Sequence, residues 1–330
     1  MRIALHRKLP VNYDERDKAF FEREFSREIE PPSSLLLHQA TITSQGIVYE
    51  KLRLVKSSLV PEIPNRLTAL HLIVQVLKKK KRKWTGTQTP AVVFDYWYKG
   101  YFHWMTEALP RLLYLRKLGN DFVPVVPDDS GAPFIQKTLE PFNFESCAWI
   151  RPNEYMMARS ALLVKHTAPT GNYNEELIRE LRTLFRSYFF NANTLSTFDK
   201  IYISRQRTNR RRVINESDVS ALLREFGFVT LYFEDYTFEK QVQLAARTTM
   251  MISIHGAGLT NMLFMNEKTS VLEFRPKNDR TNLCYFAMAS ALDVNYYYQF
   301  GEQDNQSIND DLFIDLAKLR VNVERMLSAS

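Results

Sequence analysis

The stretch Met250–Phe274, MMISIHGAGLTNMLFMNEKTSVLEF, decides the fold. Met250–Ile254 is an apolar run of strand length. His255-Gly256-Ala257-Gly258 is a glycine turn, and Leu259–Met265 reads as a short helix. Ser270–Phe274 predicts a second strand, stopped by Pro276. Outward from this core, Lys200–Ser204, Phe228–Tyr232 and Val294–Tyr298 read as further strands. Helices alternate with them. One runs Asn215–Phe226, with Asn215 as N-cap and Gly227 as its stop. A second is capped by Thr237 and runs to Arg247, with Phe238, Val242 and Ala245 on one face, and a third covers Asn282–Leu292. This alternation predicts a parallel sheet covered on both faces, a Rossmann-like unit. Such sheets bind ligands outside the carboxyl ends of their strands.

The middle of the chain repeats the rhythm. Ala91–Phe94, Phe122–Val126 and Ala161–Val164 read as strands. Phe102–Leu118, containing Pro110 and ending at Gly119, and Pro133–Leu139 read as helices. The polar, aperiodic Asn191–Thr197 predicts a linker. The expected organisation is an N-terminal α/β domain over 1–190, a linker over 191–198, a second α/β domain over 199–305 and a terminal segment over 306–330. Asp310–Leu327 reads as an amphipathic helix. Residues 1–65 yield only a hairpin over Ala40–Glu50, turning near Gly46.

Composition bounds the function. The 330 residues give a prior of about two domains. A 45% apolar and 25% charged content is that of a soluble globular chain and excludes disorder. No internal repeat argues for a solenoid. Only Cys147 and Cys284 are present, which excludes a disulfide framework and a cysteine-rich metal site and fits a reducing compartment. The opening MRIALHRKLPV lacks the apolar core, about 7–15 residues, of a secretory signal. Leu67–Leu77, broken by His71 and Gln75, is too short to span a bilayer. A cytoplasmic chain is the expectation, with the glycosylation patterns at Asn215 and Asn305 read as chance.

Four motifs carry chemistry. In the HGAG turn, Gly256 and Gly258 allow close backbone approach, and a following helix N-terminus suits phosphate. A plain tight turn is the simpler reading; His255, Ala257, Thr260 and Asn261 around it favour a phosphate site. After the Lys200–Ser204 strand come five arginines between positions 205 and 212, able to clamp a diphosphate or merely to face solvent. Arg205 stands nearest the strand end and Arg210 is the next candidate; at least two of the others read as surface charge. In Tyr101–Arg111, His103 and Glu107 are spaced i, i+4 on one helix face. They suit either proton transfer or a structural salt bridge, and the motif alone favours the latter. Finally, Lys78–Lys83 is a run of six positive charges, fitting a solvated helix end, an anionic membrane surface or nucleic acid. The net charge is +7. His166, His71, His38 and His6 lack ligand spacing, no D-x-D follows a strand, and no metal site is expected.

Together, YFHWMTEALPRL (101–112), IYISRQRTNRRRVINE (201–216) and MISIHGAGLTNMLFMNEKTSVLEF (251–274) resemble glycosyltransferase family 61. The resemblance implies a GT-B fold, two Rossmann-like α/β domains with parallel sheets facing a central cleft. It implies inverting transfer from a UDP-sugar, xylose or N-acetylglucosamine, to a glycan hydroxyl without a metal. It assigns the donor diphosphate to Arg205, Arg210, His255, Gly256, Ala257, Gly258, Thr260 and Asn261, and the ribose to Glu273. It makes Glu107 the general base and His103 its orienter or an acceptor contact. Lacking an N-terminal membrane anchor, the chain reads as a bacterial-type enzyme of surface polysaccharide (capsule or O-antigen). Its expected partners are a UDP-sugar, a glycan or lipid-linked glycan, and an anionic inner-membrane surface through Lys78–Lys83. The alternatives are a non-catalytic binder of nucleic acid or polyanionic glycan, and a nucleotide-sugar hydrolase or epimerase.

Overall fold

The computed structural model describes residues 1–60, 74, 77–190, 198–303, 307 and 309–329. Most of the Leu67–Leu77 run, the linker core 191–197 and the boundary at 305/306 lie outside these. Two compact units emerge: Met1–Ile3 with Ile29–Leu177, and Ala4–Glu28 with Ile178–Ser330. The division thus precedes the expected linker, and a stretch of the N-terminus groups with the C-terminal half.

The strands are β1 (Ile3–His6), β2 (Ser26–Ile29), β3 (Ser34–Thr43), β4 (Val48–Glu50), β5 (Arg53–Leu54), β6 (Lys80–Lys83), β7 (Thr89–Val92) and β8 (Phe122–Pro127). There follow β9 (Ala148–Ile150), β10 (Glu154–Val164), β11 (Lys200–Ile203), β12 (Val229–Leu231), β13 (Met250–Ile254), β14 (Ser270–Pro276) and β15 (Asn295–Gly301).

The first unit holds an eight-stranded sheet in the order β5-β4-β3-β10-β7-β8-β9, with β6 beside β10. This sheet is mixed rather than wholly parallel. β10, β7, β8 and β9 run parallel, whereas β3, β4 and β5 form an antiparallel meander against β10. The expected hairpin turns at Gly46, whose φ of +75° suits glycine. A Cβ there would stand 2.3 Å from Phe94 O, so the turn also needs glycine for close packing. The basic run leaves a helix at Lys78, as one reading expects, and then continues as the strand β6; Lys80, Lys81 and Lys83 are exposed.

The parallel strands of this unit, numbered by chain order as β7, β8, β9, β10, sit in space as 4-1-2-3. The order reverses between β7 and β10, and that switch point is where open parallel sheets hold ligands. The helix over Tyr101–Lys117 runs above it. Trp104–Ala108 forms a wide π turn between the α segments Tyr101–His103 and Leu109–Lys117. Pro110 lies just beyond and cannot donate to a preceding carbonyl, a local reason for the irregular turn.

The second unit holds five strands, all parallel, ordered β12-β11-β13-β14-β15. In chain order that is 2-1-3-4-5, with the switch point between β11 and β13. The helices Glu216–Glu225, Phe238–Arg247, Cys284–Ala291 and Leu316–Ser328 accompany it. Tyr202, Leu222, Ile252, Leu272, Leu319 and Val323 share one core cluster. Thr237 caps its helix as expected, accepting from Lys240 N. Asn215 occupies the N-cap position but makes no cap bond; its amide pairs with both the N–H and C=O of Ile314. The expected terminal helix begins six residues later than Asp310, at Leu316, capped by Asp315. The helix Glu175–Phe189, absent from the sequence reading, docks on this unit through Arg179, Arg182 and Arg186, which donate to Ala291 O, Leu292 O and Phe264 O.

Residues 4–28 close the β15 edge. Val11 N donates to Tyr296 O at 2.8 Å and Asn12 Nδ2 to Tyr298 O at 2.7 Å. Phe21 is fully buried against Phe286 and Tyr298. A covered edge cannot recruit another strand. Among the described residues, no helix is long and apolar enough to cross a membrane.

Candidate functional site

Each switch point gathers polar side chains. In the first unit, His103, Glu107 and Arg111 stand at i, i+4 and i+8, one ladder along the helix. His103 Nδ1 lies 3.0 Å from Glu107 Oε1. Glu107 is buried, while the His103 side chain keeps 27% of its surface exposed and rests on Trp97, ring centroids 4.4 Å apart. Arg111 is fully buried. Its Nε donates to Val164 O at 2.9 Å and its Nη1 to Asp95 Oδ2 at 3.2 Å. Val164 ends β10 and Asp95 lies three residues beyond β7, so Arg111 ties the helix to the sheet across the switch point.

Asp95 also accepts from Trp97 N at 2.9 Å, and His166 Nε2 lies 3.1 Å from its Oδ2. Burial pushes the Asp95 carboxyl up, but His166 and the Arg111 guanidinium pull it further down, leaving it below the usual range. Burial lowers the Arg111 guanidinium even beside Asp95 and Glu107. Glu107 Oε2 and both ring nitrogens of His166 are buried without an aligned hydrogen-bond partner among the described residues.

One ligand atom each from Asp95, Glu107 and His166 lie within 4.8 Å of one another. His166 is therefore not isolated, as its spacing suggests. Its partners come from a strand end and a helix distant in sequence, which local spacing cannot reveal. Arg111 hydrogen-bonds Asp95 and also interacts electrostatically with Glu107.

In the second unit, Arg205 follows β11 and His255-Gly256 follows β13, on the two sides of the switch point. The Arg205 guanidinium lies over Gly256: a Cβ there would come 2.6 Å from Nη1. The Gly256 backbone is extended, so close approach, not φ, demands the glycine. Arg205 Nε donates to Arg211 O at 3.3 Å. Burial first, then the other's charge or that of Arg210, lowers both guanidiniums. Neither has a carboxylate partner among the described residues, an arrangement that an anion would relieve.

Arg210 stands outside this pair, exposed and 3.4 Å from Asn309 Oδ1. Arg211, at φ +56°, takes the inner place instead. Arg207 pairs with Asp235 and Arg212 with Asp311, so both are surface charge, as the sequence suggests for two of the five.

His255 is buried between two polar groups. Nδ1 contacts Glu273 Oε1, and Nε2 lies 3.0 Å from Asn282 Nδ2. An ionised Glu273 only accepts, so Nδ1 carries the proton and Nε2 accepts from the Asn282 amide. Glu273 itself is 0% exposed, held by His255, Arg275 and the Tyr296 hydroxyl. Burial raises its carboxyl, but Arg275 and His255 bring it below the usual range. It is not placed to reach a ribose; it orients His255.

Thr260 and Asn261 are also buried, and Asn261 Nδ2 donates to Gly258 O. They hold the turn. Ala257 and Gly258 form its accessible tip. The helix that follows, Ala257–Phe264, is 3₁₀ rather than α. Long 3₁₀ runs are uncommon and often mark functional positions.

The family model Glycosyltransferase 61 matches residues 101–272, more than half of the chain. The chain belongs to that family. Both switch points fall within or beside the matched span. Among relatives, this glycosyltransferase 61 member is 34% identical over 97 residues to protein O-linked-mannose beta-1,4-N-acetylglucosaminyltransferase 2 of Homo sapiens, covering 27% of this chain and 17% of that protein. The Mus musculus protein of that name is 37% identical over 73 residues, 21% of this chain and 13% of that one. The EGF domain-specific O-linked N-acetylglucosamine transferase of Drosophila melanogaster is 32% identical over 98 residues, 29% and 18% respectively. The matched stretch thus spans less than a fifth of each relative's length.

Proposed function

We propose that this glycosyltransferase 61 member moves a sugar from a UDP-sugar to a glycan hydroxyl with inversion and without a metal ion. The observation that carries the reading is Arg205 lying on Gly256 across the β11–β13 switch point, with Arg211 behind it and neither arginine neutralised. Two unpaired guanidiniums at such a crevice suit a diphosphate. Ala257 and Gly258 present backbone beside them. The GT-B arrangement is part of the proposal: one α/β unit supplies donor contacts and the other acceptor-side groups.

In the first unit the exposures reverse the roles expected of Glu107 and His103. The buried Glu107 accepts from His103 Nδ1, which leaves Nε2 as the proton acceptor. The acceptor hydroxyl passes its proton to Nε2 as its oxygen attacks the anomeric carbon. The bond from that carbon to the β-phosphate oxygen breaks, and UDP departs with the electron pair. Arg205 and Arg211 stabilise its growing charge, each charged hydrogen bond contributing about 1.5–3 kcal/mol. The names of the relatives support proposing N-acetylglucosamine ahead of xylose as the sugar. Those relatives are animal proteins, and they lend no support to a bacterial surface glycan as acceptor.

Calorimetry of UDP binding tests the reading. Binding that persists in EDTA and weakens in Arg205→Ala is expected. Binding that disappears with the chelator overturns metal independence, and no UDP binding at all overturns the function.

A further inference from the structure

We propose that the first unit carries a second carbohydrate subsite, built on Trp149, that holds a neutral sugar residue of the acceptor glycan. A pocket of about 330 Å³ is lined by Arg82, Asp128, Trp149, Arg151 and Glu154. That volume is within the small-ligand range of about 300–1,000 Å³. Asp128 directly follows β8 and Arg151 directly follows β9, so both stand at carboxyl ends of neighbouring parallel strands. Asp128 N donates to Ile150 O at 2.9 Å and fixes the two ends together.

The chemistry of the lining selects the occupant. Two guanidiniums and two carboxylates leave the pocket without net charge. The carboxylates repel an anion such as phosphate, and the guanidiniums repel a cation. A lipid tail finds only one apolar wall. A pyranose matches every group: its hydroxyls donate to Asp128 and accept from Arg151, and its C–H face covers the half-buried indole. The polar groups are only lightly engaged with one another. Arg151 Nε stands 3.4 Å from Asp128 Oδ2, long for a charged pair, and Glu154 Oε2 accepts only from the Arg151 backbone N–H, also at 3.4 Å. Arg82 is anchored on Trp149 O, which sets it as one wall.

The pocket is coupled to the loop that leads into His103. Asp129, the next residue after Asp128, accepts from the Tyr98 hydroxyl at 2.7 Å and pairs with Lys99 at 2.8 Å. A glycan longer than one residue can therefore be gripped here while another of its residues presents its hydroxyl to His103. The acceptor role rests on the glycosyltransferase reading; the sugar site does not.

The test labels the four tryptophans with 5-fluorotryptophan and follows their ¹⁹F signals, with Trp149→Phe assigning the one of interest. The probes are methyl α-mannoside, methyl β-xyloside and N-acetylglucosamine, with glucuronate and inorganic phosphate as anionic probes. A saturable shift of the Trp149 signal by at least one neutral sugar, in the millimolar range, is expected. Asp128→Asn and Arg151→Ala should each weaken it about threefold or more, and both sit on exposed side chains that tolerate change. UDP affinity should stay unchanged in both variants. No shift up to the solubility limit overturns the subsite, as does a shift by the anions alone or one indifferent to both variants. UDP binding separates the two claims. Sugar binding without UDP binding ends the functional reading and keeps the subsite; the converse ends the subsite alone.

Discussion

Replacing Glu107 with Gln should cost as much transfer activity as removing the His103 imidazole. Glu107 is buried and reaches His103 Nδ1 at 3.0 Å, with the Arg111 charge on its other side. In the variant, the amide oxygen is drawn toward Arg111, and the amide nitrogen then faces His103. That nitrogen donates to Nδ1, so the ring proton moves to Nε2, the atom that must accept from the acceptor. A base in the wrong tautomer gives no assistance, and such assistance is typically about 10²–10⁴-fold, or about 2.7–5.5 kcal/mol of barrier. His103→Ala should lose the same factor, and the double variant no more than either single, because the two groups act as one device. The assay is initial transfer rate at saturating UDP-sugar, with UDP affinity measured in parallel and expected to hold. Near-normal turnover in Glu107→Gln beside an inactive His103→Ala would refute the orienting role. Losses that multiply in the double variant would refute the shared device.

Arg205→Ala and Arg211→Ala should each weaken UDP binding about tenfold or more, while Arg210→Ala and Lys80→Ala change it little; equal losses in all four would mean general basicity, not a site. Gly256→Ala should fold normally, since the Cβ meets only the flexible end of Arg205, yet displace that guanidinium and lower UDP affinity on titration. Asp95→Asn leaves the buried Arg111 without its hydrogen-bonded carboxylate, and should destabilise the fold by about 3–5 kcal/mol in denaturant unfolding at neutral pH. Because the folded Asp95 carboxyl lies below its ordinary value, this contribution is present above the unfolded value and fades as pH falls through the folded one. The gap between wild type and variant should therefore narrow in acid, and a constant gap would contradict the ion pair as its source.

The second unit was the more legible in sequence because its strands are buried on both faces. KIYI, MMISI and SVLEF need no partner to be recognised, and Gly227, at φ +82°, ends its helix where glycine should. The first unit is harder to read because β3, β4 and β5 form an antiparallel meander whose burial does not alternate along the strands, and β6 is a strand of four basic residues. At the sites, Arg205, Gly256 and the His103–Glu107 spacing are local features and visible. Asp95, Arg111 and His166 carry no such signature: they meet only when β7, β10 and the helix are assembled. Arg210 and Arg211 are neighbours of the same type, and the left-handed backbone at Arg211 decides which one turns inward. Glu273 reads as a strand end in the sequence, but it sits in the middle of β14, and three polar neighbours claim its oxygens.

The covered β15 edge sets an order of events during synthesis. Asn12 and Tyr298 are separated by 286 positions, and translation proceeds at about 5–20 residues per second. The aromatic segment around Phe20, Phe21 and Phe25 therefore leaves the ribosome some 15–60 s before the sheet that receives it. Over that interval three phenylalanines have no native partner in the second unit, and they are natural clients for a holding chaperone. A permuted gene that appends residues 4–28 after the Leu316–Ser328 helix would deliver cap and sheet together, and shorten the wait to a few seconds.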